Sequence, residues 1–121
     1  MLKYNTLYQS LKKVSAEWHA GHVQWSFCWD YFKFYEDGLV INAYTPTDNV
    51  SVINTWFDIN NKSGEFPIGK YKISEDKISI ELKSFNLTTI IDGAIINNAL
   101  VLRKINSIDH NEYWDYYTLM D

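Results

Sequence analysis

The sequence of 121 residues is poor in the residues that interrupt or cross-link a fold. It contains two prolines, five glycines and a single cysteine, Cys28. So few prolines and glycines argue against a disordered chain. A lone cysteine cannot form an intrachain disulfide, so the fold does not depend on oxidation. We therefore expect one domain, residues 1–121, whose hydrophobic core needs no covalent support.

The sequence also lacks long apolar runs and clusters of positive charge. No stretch approaches the roughly 20 apolar residues of a membrane-spanning helix, and the segment from Met1 to Asn5 has no apolar signal core. These features predict a soluble, cytoplasmic protein if Met1 is the native start. The formal net charge is −4, and no basic run exceeds two residues. Because nucleic acids and anionic membranes are bound through clustered cations, we expect neither as a partner.

Aromatic residues are the one class in clear excess, at 17% of the chain. Large flat side chains favour β structure. The clearest strand runs from Lys77 to Lys83, where apolar and polar residues alternate, and the last strand is predicted from Glu112 to Leu119. Hairpin turns are predicted at Asp37-Gly38, which suits a type I′ turn, at Ser74–Asp76 and at Asn97-Asn98. We predict a mainly β fold, an antiparallel meander that forms a small barrel or half-barrel.

A single helix is predicted to interrupt this meander. One helix is predicted over residues 48–59, with Thr47 or Asp48 as its N-cap and an end near Asn60-Asn61. Its apolar face would plug or flank the barrel.

Gly93 interrupts a strand, where we expect a bulge or a sharp bend. The side chains expected to point into the barrel are Phe32, Phe34, Trp56, Tyr71, Ile80 and Leu102.

The N-terminal segment, residues 4–18, fits two interpretations. The spacing of Leu7, Leu11 and Val14 fits one face of a helix, whereas Tyr8 and Ser10 also fit a strand. Pattern alone favours the helix slightly. The two alternatives stay open at this point.

The order of motifs from Trp29 onward carries a family resemblance. An aromatic hairpin at 31–38 is followed by the pair Trp56-Phe57, a Gly-x-Tyr-x-Ile strand at 69–73, an Ile-x-Ile strand at 78–80, and a Gly-x-Ile strand at 93–95 with a Leu-x-Leu partner at 100–102. In this order the motifs resemble those of small uncharacterised bacterial proteins with a lipocalin-like, or calycin-like, β-barrel. The resemblance implies an opening Tyr-x-Ser strand, which matches Tyr8-Gln9-Ser10, so we prefer a strand near residues 6–13. The chain lacks the Gly-x-Trp opening of true lipocalins, and the resemblance implies no activity.

Residues with metal-binding or catalytic chemistry do not form a specific motif. His19 and His22 have ligand-like spacing, but a metal site needs one or two further ligands, which Cys28, Asp30 or His110 would have to supply. Cys28 lies in a strand-like segment, where a lone cysteine is more typical of packing than of nucleophilic catalysis. We expect no bound metal, no cofactor and no catalytic residue, and we prefer a binding protein over an enzyme.

The surplus aromatic residues carry the functional hypotheses. Their plainest role is to fill the core. The leading hypothesis is a non-catalytic module that binds a small apolar or aromatic ligand at the barrel mouth. The alternative is a protein-interaction or self-association module, such as a homodimer, that uses an exposed aromatic face. Side chains directed into a hollow interior would favour the ligand, and side chains directed to solvent would favour a protein partner. The candidate ligand-binding residues are Trp25, Trp29, Asp30, Trp114 and Tyr116.

Overall fold

A computed structural model describes residues 2–57, 67–84, 87–105 and 110–120. Within these ranges the chain forms nine strands and one short helix. No helix among them is long and apolar enough to span a membrane. In chain order the elements are β1 (Leu7–Ser10), β2 (Lys13–His19), β3 (His22–Phe34), β4 (Leu39–Thr45), α1 (Val50–Trp56), β5 (Ile68–Ser74), β6 (Lys77–Ser84), β7 (Leu87–Ile96), β8 (Ala99–Ile105) and β9 (Glu112–Leu119).

The strands form a closed antiparallel barrel. Strands β3 to β9 pair each with the next, and β1 lies between β9 and β3. Tyr8 of β1 stands opposite Phe32 on one side and Leu119 on the other. The barrel therefore has eight strands, and β2 pairs only with β3 outside the closed ring. The predicted antiparallel barrel with one short helix is confirmed, and it fits a small lipocalin-like barrel. The N-terminal strand is confirmed as well, and the helical alternative for this segment is wrong.

The barrel interior is filled by large apolar side chains from alternate strand positions. Phe32 packs edge to face on Tyr117, and Phe34 does the same on Tyr8 and Tyr71. The inward prediction holds for Phe32, Phe34, Ile80 and Leu102, which are all buried in this cluster, and for Tyr71, which packs against it.

A second apolar cluster lies on the outside of the barrel under helix α1. Ile53 and Phe57 are buried against Tyr31 and Ile41. The helix thus flanks the barrel, and Trp56, predicted to point inward, packs against this outer cluster instead. The N-cap is Asn49, whose side chain accepts a hydrogen bond from the amide of Val52 at 3.3 Å, because the helix begins two residues later than predicted. The predicted helix end at 60–61 lies outside the described residues.

The β3–β4 turn differs in type from the prediction, although the three predicted hairpins are where they were expected. In the β3–β4 turn Gly38 alone has positive φ, at 92°, and its amide donates to the carbonyl of Tyr35. This is a type I turn followed by a glycine in the left-handed region, so the type I′ prediction is wrong. The β2–β3 hairpin contains a two-residue turn in which both residues have positive φ, Ala20 at 49° and Gly21 at 84°.

Gly93 is required by close packing of backbone, without a bulge. Pairing runs through it without a skipped residue, Ile78 on one side and Leu102 on the other. A Cβ atom at this position would lie 2.0 Å from the carbonyl oxygen of Val101. The expected bulge is therefore not present, and the glycine permits an approach of β8 that no other residue allows.

Candidate functional site

Strand β2 and the first half of β3 form a two-stranded ribbon that continues beyond the barrel. Residues 13–19 pair with residues 22–28, and β4 joins β3 only from Trp29 onward. Cross-strand partners point to the same side of a sheet, so the pairing separates the ribbon's side chains into two faces. One face carries Val14 opposite Phe27, Ala16 opposite Trp25, and Trp18 opposite Val23. The other carries Lys13 opposite Cys28, Ser15 opposite Ser26, Glu17 opposite Gln24, and His19 opposite His22.

The first of these faces is wholly apolar and faces solvent. Trp18 is 75% exposed, Trp25 is 62% exposed, and Val14, Val23 and Phe27 are each about half exposed. At the base of the ribbon the ammonium group of Lys12 lies 4.8 Å from the centre of the Phe27 ring. We call the six residues Val14, Ala16, Trp18, Val23, Trp25 and Phe27 the ribbon face.

Local sequence explains why this segment forms a ribbon. Val14, Ala16 and Trp18 alternate with polar residues, which suits a strand with one apolar side. Two left-handed residues in the turn match the twist of a two-residue hairpin. Residues of odd number on β3 continue the ribbon face onto the outer surface of the barrel, where Tyr31 is covered by helix α1. No comparable element covers the ribbon face in the part of the chain that the structure describes.

A cluster of charged side chains occupies the inside of the barrel below the ribbon. The carboxylate of Asp30, with a side chain only 5% exposed, accepts hydrogen bonds from Asn42 at 2.8 Å, Lys104 at 2.7 Å and Tyr117 at 2.5 Å. Lys104 also lies 3.2 Å from the carboxylate of Asp115. The second carboxylate is bound in turn by Lys13 at 2.9 Å. We call Lys13, Asp30, Lys104, Asp115 and Tyr117 the ion cluster.

The protonation of this cluster follows from burial and from its charges. Burial, and next the Asp30 carboxylate, raise the pKa of the Tyr117 hydroxyl far above its ordinary value. Burial opposes ionisation of Asp115, but the ammonium groups of Lys13 and Lys104 outweigh it and lower the pKa of this carboxyl. Two carboxylates and two ammonium groups therefore neutralise one another. Each group is bound by a neighbour, so the cluster links β2, β3, β8 and β9 at this end of the barrel.

A third feature is a depression of about 780 Å³ on the outer surface between β5 and β9. We call it the outer depression. Its apolar wall is built by Ala94, Ile96, Val101 and Trp114, and lysine side chains stand on the β5–β6 side. It is lined by Lys72, Ile73, Ser74, Lys77, Ile78, Ser79, Asp92, Gly93, Ala94, Ile96, Val101 and Trp114.

The five candidate ligand-binding residues do not meet at one barrel mouth. Trp25 stands on the ribbon face, and Trp29 is half-buried beside the helix cluster. Trp114 and Tyr116 are on the outer side of β9, 63% and 46% exposed. Asp30 alone points inward, into the ion cluster. Of the four aromatic candidates, Trp25, Trp114 and Tyr116 are therefore exposed to solvent.

Sequence reasoning missed several residues of these sites. Val14 and Trp18 alternate with period two, but this signal competed with a helical interpretation of the same segment. Lys104 and Asp115 come to Asp30 only through barrel closure, so no local pattern announces them. His19 and His22 flank the ribbon turn on its polar face. Among the described residues no three His, Cys, Asp or Glu side chains come together as metal ligands.

Comparison with models of known protein families and with curated proteins finds no match to this chain. The resemblance to lipocalin-like bacterial proteins therefore stays a prediction. A barrel of this kind does not specify an activity, because the same fold carries many functions.

Proposed function

We propose that this protein is a non-catalytic interaction module that associates with a second copy of itself through the ribbon face. One observation carries the proposal: every residue on one side of a projecting ribbon is apolar, and five of the six are large and exposed. Apolar patches of this kind mark interaction surfaces, because their exposure to water is otherwise unfavourable.

The area of the ribbon face suits a small interface. An aromatic side chain has roughly 150–250 Å² to bury, so the exposed fractions of Trp18, Trp25 and Phe27 offer about 300–450 Å² in each copy. The two valines add to this. Two copies together then bury close to the roughly 1,000 Å² at which specific interfaces begin. We therefore expect a weak, reversible dimer with a dissociation constant in the micromolar range.

The shape and charge of the ribbon face favour a second copy as the partner. The side chains of the ribbon face stand on one side of two paired strands and form one continuous apolar surface. None of its six residues is charged, and the Lys12 ammonium group contacts it at the base, on the Phe27 ring, so most of the face has no means of selecting a charged partner. An apolar surface of this kind is matched by another of the same kind, and a twofold contact lets each copy supply both halves. Two ribbons stacked in this way form a small sandwich with a tryptophan-rich core.

Sedimentation velocity of a double variant tests the proposal. The unmodified chain should show a monomer–dimer equilibrium at micromolar concentration, and Trp18→Ser with Trp25→Ser should be monomeric. A control, Trp114→Ser with Tyr116→Ser, removes two exposed aromatic residues from the outer side of β9 and should leave the dimer intact. A monomer up to high micromolar concentration, or equal loss of dimer in both variants, contradicts the proposal.

Cysteine cross-linking locates the interface. In a Cys28→Ser background, Ala16→Cys places a thiol in the middle of the ribbon face, where a twofold axis would bring two copies together. Mild oxidation should then join two chains. Ser15→Cys, its neighbour on the polar face of the same strand, should not cross-link. Equal cross-linking at both positions would show that contact is nonspecific.

A further inference from the structure

We infer that the outer depression is a binding site for a small aromatic carboxylate. This inference is independent of the ribbon face and adds a ligand to the proposed self-association. A volume of about 780 Å³ is within the range of small-molecule sites. The site combines an apolar wall with lysine side chains that form no ion pair with any residue the structure describes.

The apolar wall comes from three adjacent strands. Ala94 of β7 stands opposite Val101 of β8, and Val101 stands opposite Tyr116 of β9, two residues along the strand from Trp114 and on the same side of it. Trp114 is 63% exposed, so its indole ring has a large surface to offer. A flat aromatic ligand can stack on an indole and cover the small side chains beside it, which removes apolar surface of both from water.

The lysine side chains that line the depression would select the polar end of the ligand. Lys72 and Lys77 line the depression, and in the described part of the chain neither forms an ion pair. The acidic lining residue Asp92 is paired with Arg103 through two contacts of 3.0 and 2.9 Å, and Arg103 also lies 3.4 Å from Glu112. Glu75 and Asp76 belong to the adjoining turn but do not line the depression. Lys77 is the cross-strand partner of Ala94 and so stands beside the apolar wall on the same side of the sheet. Two ammonium groups next to an apolar surface thus match a carboxylate attached to an aromatic ring.

Nuclear magnetic resonance with a matched pair of probes tests this site. Titration of the full chain with 2-naphthoate should shift the amide signals of residues 72–79, 93–96 and 101 and the indole signal of Trp114. The neutral analogue 2-naphthamide has the same ring system and should bind several-fold more weakly. Added salt should reduce the difference, because the ammonium groups are solvent-exposed.

Variants separate the apolar and the ionic contributions. Trp114→Ala should abolish binding of both probes, and its own spectrum reports that the barrel remains folded. Lys72→Gln with Lys77→Gln should weaken 2-naphthoate roughly three- to tenfold, the effect expected for two exposed ion pairs, and leave 2-naphthamide unchanged. Trp25→Ala, on the ribbon face, should have no effect on either probe. Shifts confined to the ribbon, equal affinity for the two probes, or no shift at millimolar 2-naphthoate would overturn the inference.

Discussion

The buried carboxylate of Asp30 is the group that makes the ion cluster sensitive to substitution. Its side chain is nearly inaccessible to water and is held by Asn42, Lys104 and Tyr117. A buried charge is tolerated only when its partners compensate for the lost hydration. Single replacements of those partners should therefore be costly even though the cluster as a whole adds little net stability.

Removal of the Lys104 ammonium group should cause the largest loss of stability among single substitutions in the ion cluster. Lys104→Met should lower the free energy of unfolding by about 3–5 kcal/mol, because it leaves the Asp30 carboxylate buried without its cation. Asp30→Asn combined with Lys104→Met should recover part of this loss, since no charge is then left uncompensated. Urea denaturation of the single and double variants measures the coupling. A Lys104→Met protein as stable as the unmodified chain would contradict the proposed role of the cluster.

The hydroxyl of Tyr117 predicts how stability falls at alkaline pH. Because its pKa is raised in the folded protein, the fold holds this proton more tightly than the unfolded chain does. The resulting stabilisation is complete below pH 10 and is lost progressively as the pH rises above 10. Tyr71, whose pKa is raised to about 12 by burial and then by Tyr4, loses its own share between pH 10 and 12.

Comparison with a phenylalanine variant isolates the Tyr117 contribution. Tyr117→Phe should be less stable at pH 8, by about 1–3 kcal/mol, because Asp30 loses a hydrogen-bond donor. Between pH 10 and 11.5 its urea midpoint should fall less steeply than that of the unmodified chain. Parallel curves over that interval would show that ionisation of Tyr117 is not linked to unfolding.

The element that most distinguishes this chain from a plain barrel is the β2–β3 ribbon, and it shows what sequence patterns can and cannot predict. Alternation identified β6 almost to the residue, because one side of the strand is apolar within a short window, and the last strand was predicted with the bounds observed for β9 although aromatic residues stand on both of its sides. Strand β2 of the ribbon could not be predicted, because Val14 fits a helical spacing with Leu7 and Leu11 as well as an alternation with Ala16 and Trp18. Which strand faces are covered depends on pairing between β1 and β9, and no local window contains both partners.

Gly93 and Gly21 should differ in how much an added methyl group destabilises the fold. Gly93→Ala should destabilise the fold by about 3 kcal/mol, because the new methyl group would collide with the backbone of Val101 and force β7 and β8 apart. Gly21→Ala is the matched control: nothing lies within 4 Å of its Cβ position, but its φ is +84°. It should cost only about 1–2 kcal/mol of left-handed strain. Thermal unfolding of both variants tests the order, and the reverse order would refute the close approach at Gly93.

Across the whole molecule, barrel closure and ribbon projection are separate. Closure rests on β1, which bridges β3 and β9 through residues 7–10. Residues 13–19 and 22–28 pair with each other and, among the strands that the structure describes, with no other strand. Removal of the ribbon therefore deletes no ladder that closes the ring.

This separation predicts that the ribbon can be excised. Lys13 and Cys28 are cross-strand partners, so replacement of residues 14–27 by Asn-Gly should connect them through a two-residue hairpin turn. The shortened chain should fold with an unchanged β spectrum, retain the contact between Lys13 and Asp115, and sediment only as a monomer. Circular dichroism and sedimentation velocity provide both readings. Loss of folding would show that the ribbon is part of the barrel's stability.

The position of β1 between β3 and β9 also has a consequence for biosynthesis. During translation Tyr8 emerges from the ribosome early. Its β9 partner, Leu119, lies near the end of the described chain and emerges late. Hairpins such as β5–β6 can form as soon as they emerge, whereas the seam of the barrel waits for the last strand, since its two sides are far apart along the chain. Until then the nascent sheet has two open edges, which are competent to pair with other chains. Translation speed over β8 and β9 thus sets how long this vulnerable intermediate lasts.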